Sequence, residues 1–155
     1  GMRGGKLFIY GNTGDKFCSS PNTSREGLID GNIYVHGSVG SNSIQRMRRG
    51  VIVIEKNIGD NCCSNLISGT IIVKGKIGDN FLENSKRGTI FGSDKKVVKG
   101  YRKANDANYN FIPFMGKLLE LIYDRKVLKG SSFLRYQGCL ANSANLTEIF
   151  LTRKN

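Results

Sequence analysis

Glycines recur every 19 residues in this chain, in two series that keep the same register. The first series is Gly31, Gly50, Gly69 and Gly88, and the second is Gly40, Gly59 and Gly78. Gly5 lies 26 residues before Gly31, so Gly5 and Gly14 join the two series if the first repeat holds a longer loop, around residues 19–24. A repeat of this size cannot bury an apolar face alone, so successive repeats must stack on one another.

Each repeat carries one short apolar segment directly after the glycine of the first series. These segments predict strands at residues 5–11, 31–37, 50–56, 69–75 and 88–92. Because side chains alternate between the faces of a strand, one column is expected to point inward. It contains Leu7, Ile9, Ile33, Val35, Ile52, Ile54, Ile71, Val73 and Ile90. After the next turn, Val39, Ile58 and Ile77 are also predicted to point inward.

These features predict an all-β fold, a short right-handed parallel β-helix of 19-residue coils over residues 5–92. The right hand follows from the general rule for crossover connections between parallel strands. The glycines of both series, from Gly31 to Gly88, are predicted to be structural turn residues. Glycine admits positive φ and lets neighbouring backbones approach closely.

An outward column of apolar residues on consecutive strands needs a cover. It contains Phe8, Tyr34, Val53, Ile72 and Phe91. A helix is predicted at about residues 113–128, with Pro113 in its first turn and Gly130 as its C-terminal cap. Its apolar face is predicted to hold Met115, Leu118, Leu119 and Ile122. We expect this helix to cover the column, a partner subunit being the alternative, and a closing strand at 146–151. Residues 1–155 are then one domain, with the helix and tail at 93–155.

The charge of the chain favours an anionic partner. Lysine and arginine exceed aspartate and glutamate by a net charge of +12, which attracts anions at long range. A basic edge is predicted at Arg46, Arg48, Arg49 and Arg87, as a site for a phosphate or polycarboxylate. A solvated surface is the alternative. The edge lacks the interleaved exposed aromatics typical of single-strand binding, so no nucleic-acid partner is expected. No apolar run is long enough to span a membrane, and the protein is expected to be cytoplasmic.

No catalytic or metal site is predicted. Cys18, Cys62, Cys63 and Cys139 form no C-x-x-C pair, and His36 is the only histidine. The repeated Gly-Asp-Asn of Gly59–Asn61 supplies one carboxylate per coil, too few oxygens for calcium. We interpret these aspartates as turn-stabilising residues.

The repeat resembles a known family. The segments Met47–Ile54 (MRRGVIVI), Asn57–Asn61 (NIGDN) and Ile67–Asp79 (ISGTIIVKGKIGD) are similar to the glycine-repeat β-helix shared by two kinds of protein. These are the C subunit of formylmethanofuran dehydrogenase and the C-terminal domain of glutamate synthase. The tail Phe133–Gly138 (FLRYQG) is similar to the end of the formylmethanofuran dehydrogenase branch, which includes the bacterial formyltransferase/hydrolase complex.

The resemblance implies a noncatalytic scaffold subunit of a one-carbon complex of the formyl-transfer or formylmethanofuran dehydrogenase type. On that view the chain has no activity alone and works as part of an oxidoreductase or formyltransferase/hydrolase. Its partners are protein subunits, and it contacts a polyglutamylated methanofuran-type carrier, with no cofactor bound covalently. The alternatives are a glutamate-synthase-like module of an amidotransferase complex and a free-standing binding protein, for which a homo-oligomer is an expected state.

Overall fold

A computed structural model describes residues 2–20, 24–93, 98–104, 107–139 and 144–153. The repeat strands are β1 (Arg3–Ile9), β2 (Asp30–Val35), β3 (Val51–Ile54), β4 (Thr70–Val73) and β5 (Thr89–Gly92). They are followed by β6 (Tyr101–Lys103), β7 (Ala107–Asn108), α1 (Phe111–Tyr123), β8 (Ser132–Gly138) and β9 (Glu148–Thr152). The described part of the chain is thus mostly sheet with one helix, as an all-β class predicts.

The strands from β1 to β5 pair in parallel, each with the next along the chain. From β2 onward the register is that of the repeat, since Ile33 pairs with Ile52, Ile52 with Ile71 and Ile71 with Ile90. A second series of parallel bridges joins Thr13 to Val39 and continues through the equivalent residues of the next two repeats. Residues 19 apart are therefore spatial neighbours at two places in the repeat.

The main core lies inside the stacked repeats. It contains almost all of the predicted inward column, the three residues predicted after the turn, and Leu28, Met47 and Leu66 from the return segments. The prediction fails at Leu7, which is 40% exposed although Ile33 and Ile52 are fully buried. Leu7 belongs to the first repeat, whose strand β1 has a neighbouring strand on one side only in the described sheet.

A second core lies on the opposite face of the same strands. The predicted outward column meets α1 and its flanks there, and the buried residues include Tyr34, Val53, Ile72 and Phe91. The helix therefore covers the column, as predicted. Its face differs from the prediction, because Leu118 is 45% exposed. The buried residues are Ile112, Gly116, Leu119 and Tyr123.

The helix is shorter than its apolar pattern predicts. It ends at Tyr123, because Asp124 takes the left-handed conformation with φ of 54°. Gly130, the predicted cap, has a φ of 82° but lies beyond this end. The chain instead continues without regular secondary structure at residues 126–130, and Val127 joins the second core.

The last strand closes one end of the repeat stack. β9 pairs in parallel with β5 and in antiparallel fashion with β8, which also pairs with β6 and β7. The sheet order is β1-β2-β3-β4-β5-β9-β8-β6. The predicted closing strand is therefore present, and β1 is left at the opposite edge. No helix in the described ranges is long and apolar enough to cross a membrane.

Candidate functional site

The two glycine series meet different local constraints. Gly31, Gly50, Gly69 and Gly88 have φ of 123°, 95°, 115° and 149°, in the region that side chains disfavour. Glycines of the second series are constrained by space. A Cβ atom on Gly40 would lie 2.4 Å from Asp15 Oδ1, and one on Gly78 would lie 2.5 Å from the carbonyl carbon of Gly59. At Gly59 the nearest atom, the Ser41 nitrogen, would be at 2.7 Å. The first series requires a positive φ, and its Gly50 also lies close to the preceding repeat, because a Cβ atom there would be 2.3 Å from the Gly31 carbonyl oxygen. The second series is constrained by space alone, and it allows one repeat to lie against the next.

Side-chain oxygens next to the second series link each repeat to its successor. Asp15 Oδ1 accepts a hydrogen bond from the Ser41 N–H at 2.7 Å, and Ser41 Oγ accepts one from the Asp60 N–H at 3.2 Å. Asp60 Oδ1 in turn accepts from the Asp79 N–H at 2.7 Å. The interpretation of Asp60 as a turn-stabilising residue is therefore incomplete, because its bond runs between repeats. Over the described ranges, no group of three His, Cys, Asp or Glu residues could hold a metal ion.

Three of the cysteines lie in or against the main core. Cys62 and Cys63 are buried there and Cys18 packs against it, and no disulfide joins the four cysteines. Burial raises the pKa of the Cys18 and Cys62 thiols to about 11 and that of Cys63 well above its ordinary value. These three thiols are therefore protonated at neutral pH and are poor nucleophiles.

The structure divides the predicted basic edge into two pairs. Arg46 donates a hydrogen bond to the Ser24 carbonyl oxygen at 3.0 Å, and Arg48 forms an ion pair with Glu26. Both side chains therefore bind the long loop of the first repeat. The 19-residue repeat could not predict these contacts, because the long loop is the part of the first repeat that has no counterpart in the others.

Arg49 and Arg87 form the other pair and are exposed. Each directly precedes a glycine of the first series, and Ser68 holds the equivalent place in the repeat between them. Adjacent strands lie about 4.8 Å apart, so the two arginines are separated by roughly 10 Å along the stack. Arg87 also lines a shallow depression of about 330 Å³ that includes Thr70, Thr89 and Glu148. This pair can engage two anionic groups of one extended ligand.

A polar network at the carboxyl ends of the strands was not predicted. Glu55 Oε1 accepts hydrogen bonds from Tyr34 Oη and from Lys74 Nζ, the latter at 2.7 Å. Arg125 donates to Tyr34 Oη at 3.1 Å, and its guanidinium lies 4.5 Å from the centre of the Tyr34 ring. The 19-residue separation of Glu55 and Lys74 was the available signal, since it makes them neighbours on adjacent strands.

This network sets the protonation state of its members. Burial alone would raise the pKa of Glu55, but hydrogen bonds from Lys74 and Tyr34 outweigh burial and hold this pKa below its ordinary value. Burial and the neighbouring Glu55 raise the pKa of Tyr34. Glu55 is therefore a carboxylate and Tyr34 a neutral phenol at neutral pH. The arrangement joins two strands to the segment after α1.

A cleft of about 320 Å³ opens beside this network. Its floor is apolar and includes Ile72, Phe91 and Phe133, and its rim carries lysines at positions 74, 126 and 129. Such a cleft has room for a small apolar group next to positive charge.

Comparison with known proteins identifies the architecture. A solved structure of the formyltransferase/hydrolase complex FhcABCD from Methylorubrum extorquens, in complex with methylofuran, contains a similar chain. The two chains are 26% identical and superpose with a TM-score of 0.83. The match covers 97% of this chain and 57% of that chain, so this chain spans little more than half the length of its relative. The resemblance to a subunit of such a complex is confirmed.

Sequence comparisons give a further result. No curated protein matches the chain. The GXGXG motif family matches residues 1–108, which is more than half of the 155 residues. The chain therefore belongs to the GXGXG motif family.

Proposed function

We propose that the protein is a noncatalytic scaffold subunit in a one-carbon formyl-transfer complex, of the kind that formylmethanofuran dehydrogenase contains. The observation that most supports this proposal is the superposition on a chain of the formyltransferase/hydrolase complex, with a TM-score of 0.83 over 97% of this protein. That match includes the helix and the closing strand as well as the repeats. Membership of the glutamate-synthase branch is the alternative.

The scaffold is, in this proposal, a right-handed parallel β-helix. The two series of parallel neighbours at 19-residue spacing support stacked coils. The single-domain arrangement is supported by the strands themselves, because β2 to β5 contribute one face to each core. A stack of this kind is stiff and offers flat, repeating surfaces to partner subunits.

The experiment is purification of the tagged protein from its native host, followed by mass spectrometry of the bound proteins. Co-purification with formyltransferase and amidohydrolase subunits is the expected result. Glutaminase and flavin-dependent synthase subunits would identify the alternative branch. Recovery of a monomer or homo-oligomer alone would contradict the scaffold proposal and favour a free-standing binding protein.

Arg49 and Arg87 are proposed to contact the acidic tail of a polyglutamylated methanofuran-type carrier. Both are exposed in one column of the stack, and two guanidinium groups can each bind a carboxylate. The solved relative contains methylofuran, which supports a carrier of this class.

The carrier proposal is tested with a fluorescent oligoglutamate peptide by anisotropy. Binding is expected at low salt and should weaken as salt rises, because exposed charges are screened. Arg49→Gln combined with Arg87→Gln should reduce the affinity by about tenfold, because each of the two exposed ion pairs contributes at most about 1 kcal/mol. The control, Lys6→Gln with Lys56→Gln, removes the same charge from other exposed positions. Equal losses in the two variants would show unspecific attraction, and no binding at low salt would remove the proposal.

A further inference from the structure

The residues directly after β3, β4 and β5 form a column whose side chains become short towards β9. They are Glu55, Lys74 and Ser93, each 19 residues apart, and Thr152 continues the column because β5 and β9 pair in register up to the preceding residues. Glu55 and Lys74 are long and bond to each other at 2.7 Å. The Ser93 hydroxyl instead donates to the Lys74 carbonyl oxygen of the preceding repeat. The short side chains of Ser93 and Thr152 leave the space of the cleft of about 320 Å³ described above, which we call the apolar cleft.

The floor of the apolar cleft is made of residues that already pack in the second core. Phe91 and Phe133 are each 1% exposed, and their ring centres lie 5.8 Å apart in an edge-to-face arrangement. Val127 is also buried and lines the cleft from the segment after α1. Because these side chains are held by their core contacts, the cleft keeps its shape without a ligand. A preformed apolar surface of this kind binds a flat apolar group at little cost in ordering.

The size of the apolar cleft limits its ligand to a small molecule. Its volume of about 320 Å³ is near the lower end of the range for small-molecule sites, which runs from about 300 to 1,000 Å³. An apolar cavity of about 150 Å³ holds one benzene molecule. The cleft therefore has room for one or two aromatic rings together with one charged group.

The rim of the apolar cleft supplies positive charge. Its described lining residues include the three cations Lys74, Lys126 and Lys129 and no carboxylate. Glu55 neutralises Lys74 in an ion pair. Lys126 and Lys129 are exposed, and within the described part of the chain neither forms an ion pair. These two ammonium groups can therefore hold an anion at the edge of an apolar floor.

The surroundings of Lys126 and Lys129 are also positive. Both lysines line a second, shallow depression together with Lys117 and Glu120. Three cations thus share one carboxylate there, and the excess of positive charge attracts an anion. Thr152 adds a hydroxyl group at the cleft, which can donate a hydrogen bond to a carboxylate.

We propose that the apolar cleft binds a small aromatic carboxylate. Its ring would lie against Phe91 and Phe133, and its carboxylate would lie between the ammonium groups of Lys126 and Lys129. An acid without a ring would leave the floor unused, and a neutral arene would leave the two cations unused. The cleft lies at the carboxyl ends of the strands, away from the exposed arginine pair at their amino ends, and the inference does not depend on the proposed function.

The first experiment titrates the isotope-labelled full chain with 2-naphthoate and follows its amide resonances by NMR. Saturable shifts are expected at residues 126–129 and at Phe133. Acetate, which has no ring, and 2-naphthamide, which has no charge, should each bind at least about tenfold more weakly. The absence of saturable shifts, or shifts confined to other parts of the protein, would overturn the inference. Equal affinity for naphthoate and naphthamide would also overturn it.

The second experiment removes the charge. Lys126→Gln with Lys129→Gln should weaken the binding of 2-naphthoate by about tenfold, because each exposed ion pair contributes a small amount, and should leave the affinity for 2-naphthamide unchanged. The control, Lys6→Gln with Lys56→Gln, removes the same charge from exposed positions outside the cleft and should bind as the parent protein does. Equal losses in the two variants would show general attraction by a basic protein and would contradict a site at the cleft.

The third experiment fills the space. Ser93→Leu should block the binding of 2-naphthoate and of 2-naphthamide alike, because the larger side chain occupies the apolar cleft. Ser131→Leu is the control, since Ser131 is also half-buried and does not line the cleft. Unchanged affinity in a folded Ser93→Leu variant would place the ligand elsewhere. If this variant does not unfold cooperatively in denaturant, the comparison of the lysine variants decides.

Discussion

At the scale of single residues, the repeat combines glycine with small polar side chains at one corner. Gly78 lies against Gly59 of the preceding repeat, and Asp60 bonds to the N–H of Asp79 next to it. The close approach that glycine permits is what brings the carboxylate within hydrogen-bonding distance. Removing the glycine therefore affects both packing and the ladder of hydrogen bonds.

Gly78→Ala is expected to destabilise the protein by about 3 kcal/mol, because the new methyl group meets backbone that cannot move aside. Gly14→Ala is the matched control, since it occupies the equivalent corner of the first repeat and meets nothing within 4 Å. Chemical denaturation of both variants measures the difference. Equal free energies of unfolding would contradict the role assigned to the second glycine series.

Because of Glu55, the free energy of unfolding should decrease as pH falls into the acid range. Its pKa in the folded protein lies below the ordinary value, so the unfolded chain takes up a proton first as pH falls. The stabilisation is present above the unfolded pKa of about 4.3 and is lost as pH falls through the folded pKa.

Denaturant unfolding measured from pH 7 down to pH 3 provides the measurement. The difference in unfolding free energy between the parent protein and Glu55→Gln should shrink as pH falls. Asp79→Asn serves as a carboxylate control on the exposed corner. A difference that stays constant over this range would show that the Lys74 and Tyr34 contacts do not stabilise the charged form.

Residue-level inference from the sequence was reliable where the 19-residue period applied. It identified the inward column from Ile33 to Ile90, because parallel stacking makes equivalent positions neighbours. It did not identify the contacts of Arg46 and Arg48. Both bind the long loop of the first repeat, whose sequence has no counterpart in the other repeats and whose path the period therefore does not specify.

At the scale of elements, α1 converts the outward face of the strands into a second core. Tyr123 shows how closely the two layers fit, because its hydroxyl donates to the Val51 carbonyl oxygen at 3.1 Å while its ring packs against Phe8 and Tyr34. The cover is therefore held by apolar contact and by a hydrogen bond to a strand.

Leu119→Ala is expected to cost about 3 kcal/mol, as for other buried leucines. Leu121→Ala is a matched control on the same helix, because Leu121 is 80% exposed whereas Leu119 is 3% exposed. Exposed substitutions change stability by roughly 0.5 kcal/mol or less. Thermal or denaturant unfolding compares the two, and similar costs would show that α1 does not depend on this face for its packing.

The sequence predicted that the helix exists and that it covers the outward column of the strands. It did not predict which face of the helix is buried. The apolar pattern of α1 is broad enough to include Leu118 and Leu121, which are both exposed. The buried face of α1 is the one that meets the strand column. Gly116 on that face also lets the segment after α1 approach at Leu128. A Cβ atom on Gly116 would lie 2.9 Å from the Leu128 carbonyl oxygen, a contact between distant residues that helical spacing does not show.

At the scale of the whole molecule, the two ends of the stack differ. One end is closed by β9 and β8, and the other ends at β1 with Leu7 exposed. In a linear array each repeat is stabilised by its neighbours. A terminal repeat with one neighbour should therefore open more readily than a central one.

Native-state hydrogen exchange should reveal this gradient. The amides of β3 are expected to exchange only through global unfolding, and those of β1 through local opening at much lower free energy. The slow rates of β3 should follow denaturant in the same way as global unfolding, whereas those of β1 should be nearly independent of it. Uniform protection of the amides from β1 to β5 would show that β1 does not open locally more readily than the central strands.

The arrangement of β8 and β9 has a consequence for the parallel ladder. β9 continues the ladder from β5, but β8 runs antiparallel to β9. The parallel pairing that the repeat imposes therefore stops at β9, and the strands beyond it pair in the opposite sense. The repeat sets the direction of the ladder, whereas a segment outside the repeat sets its last rung.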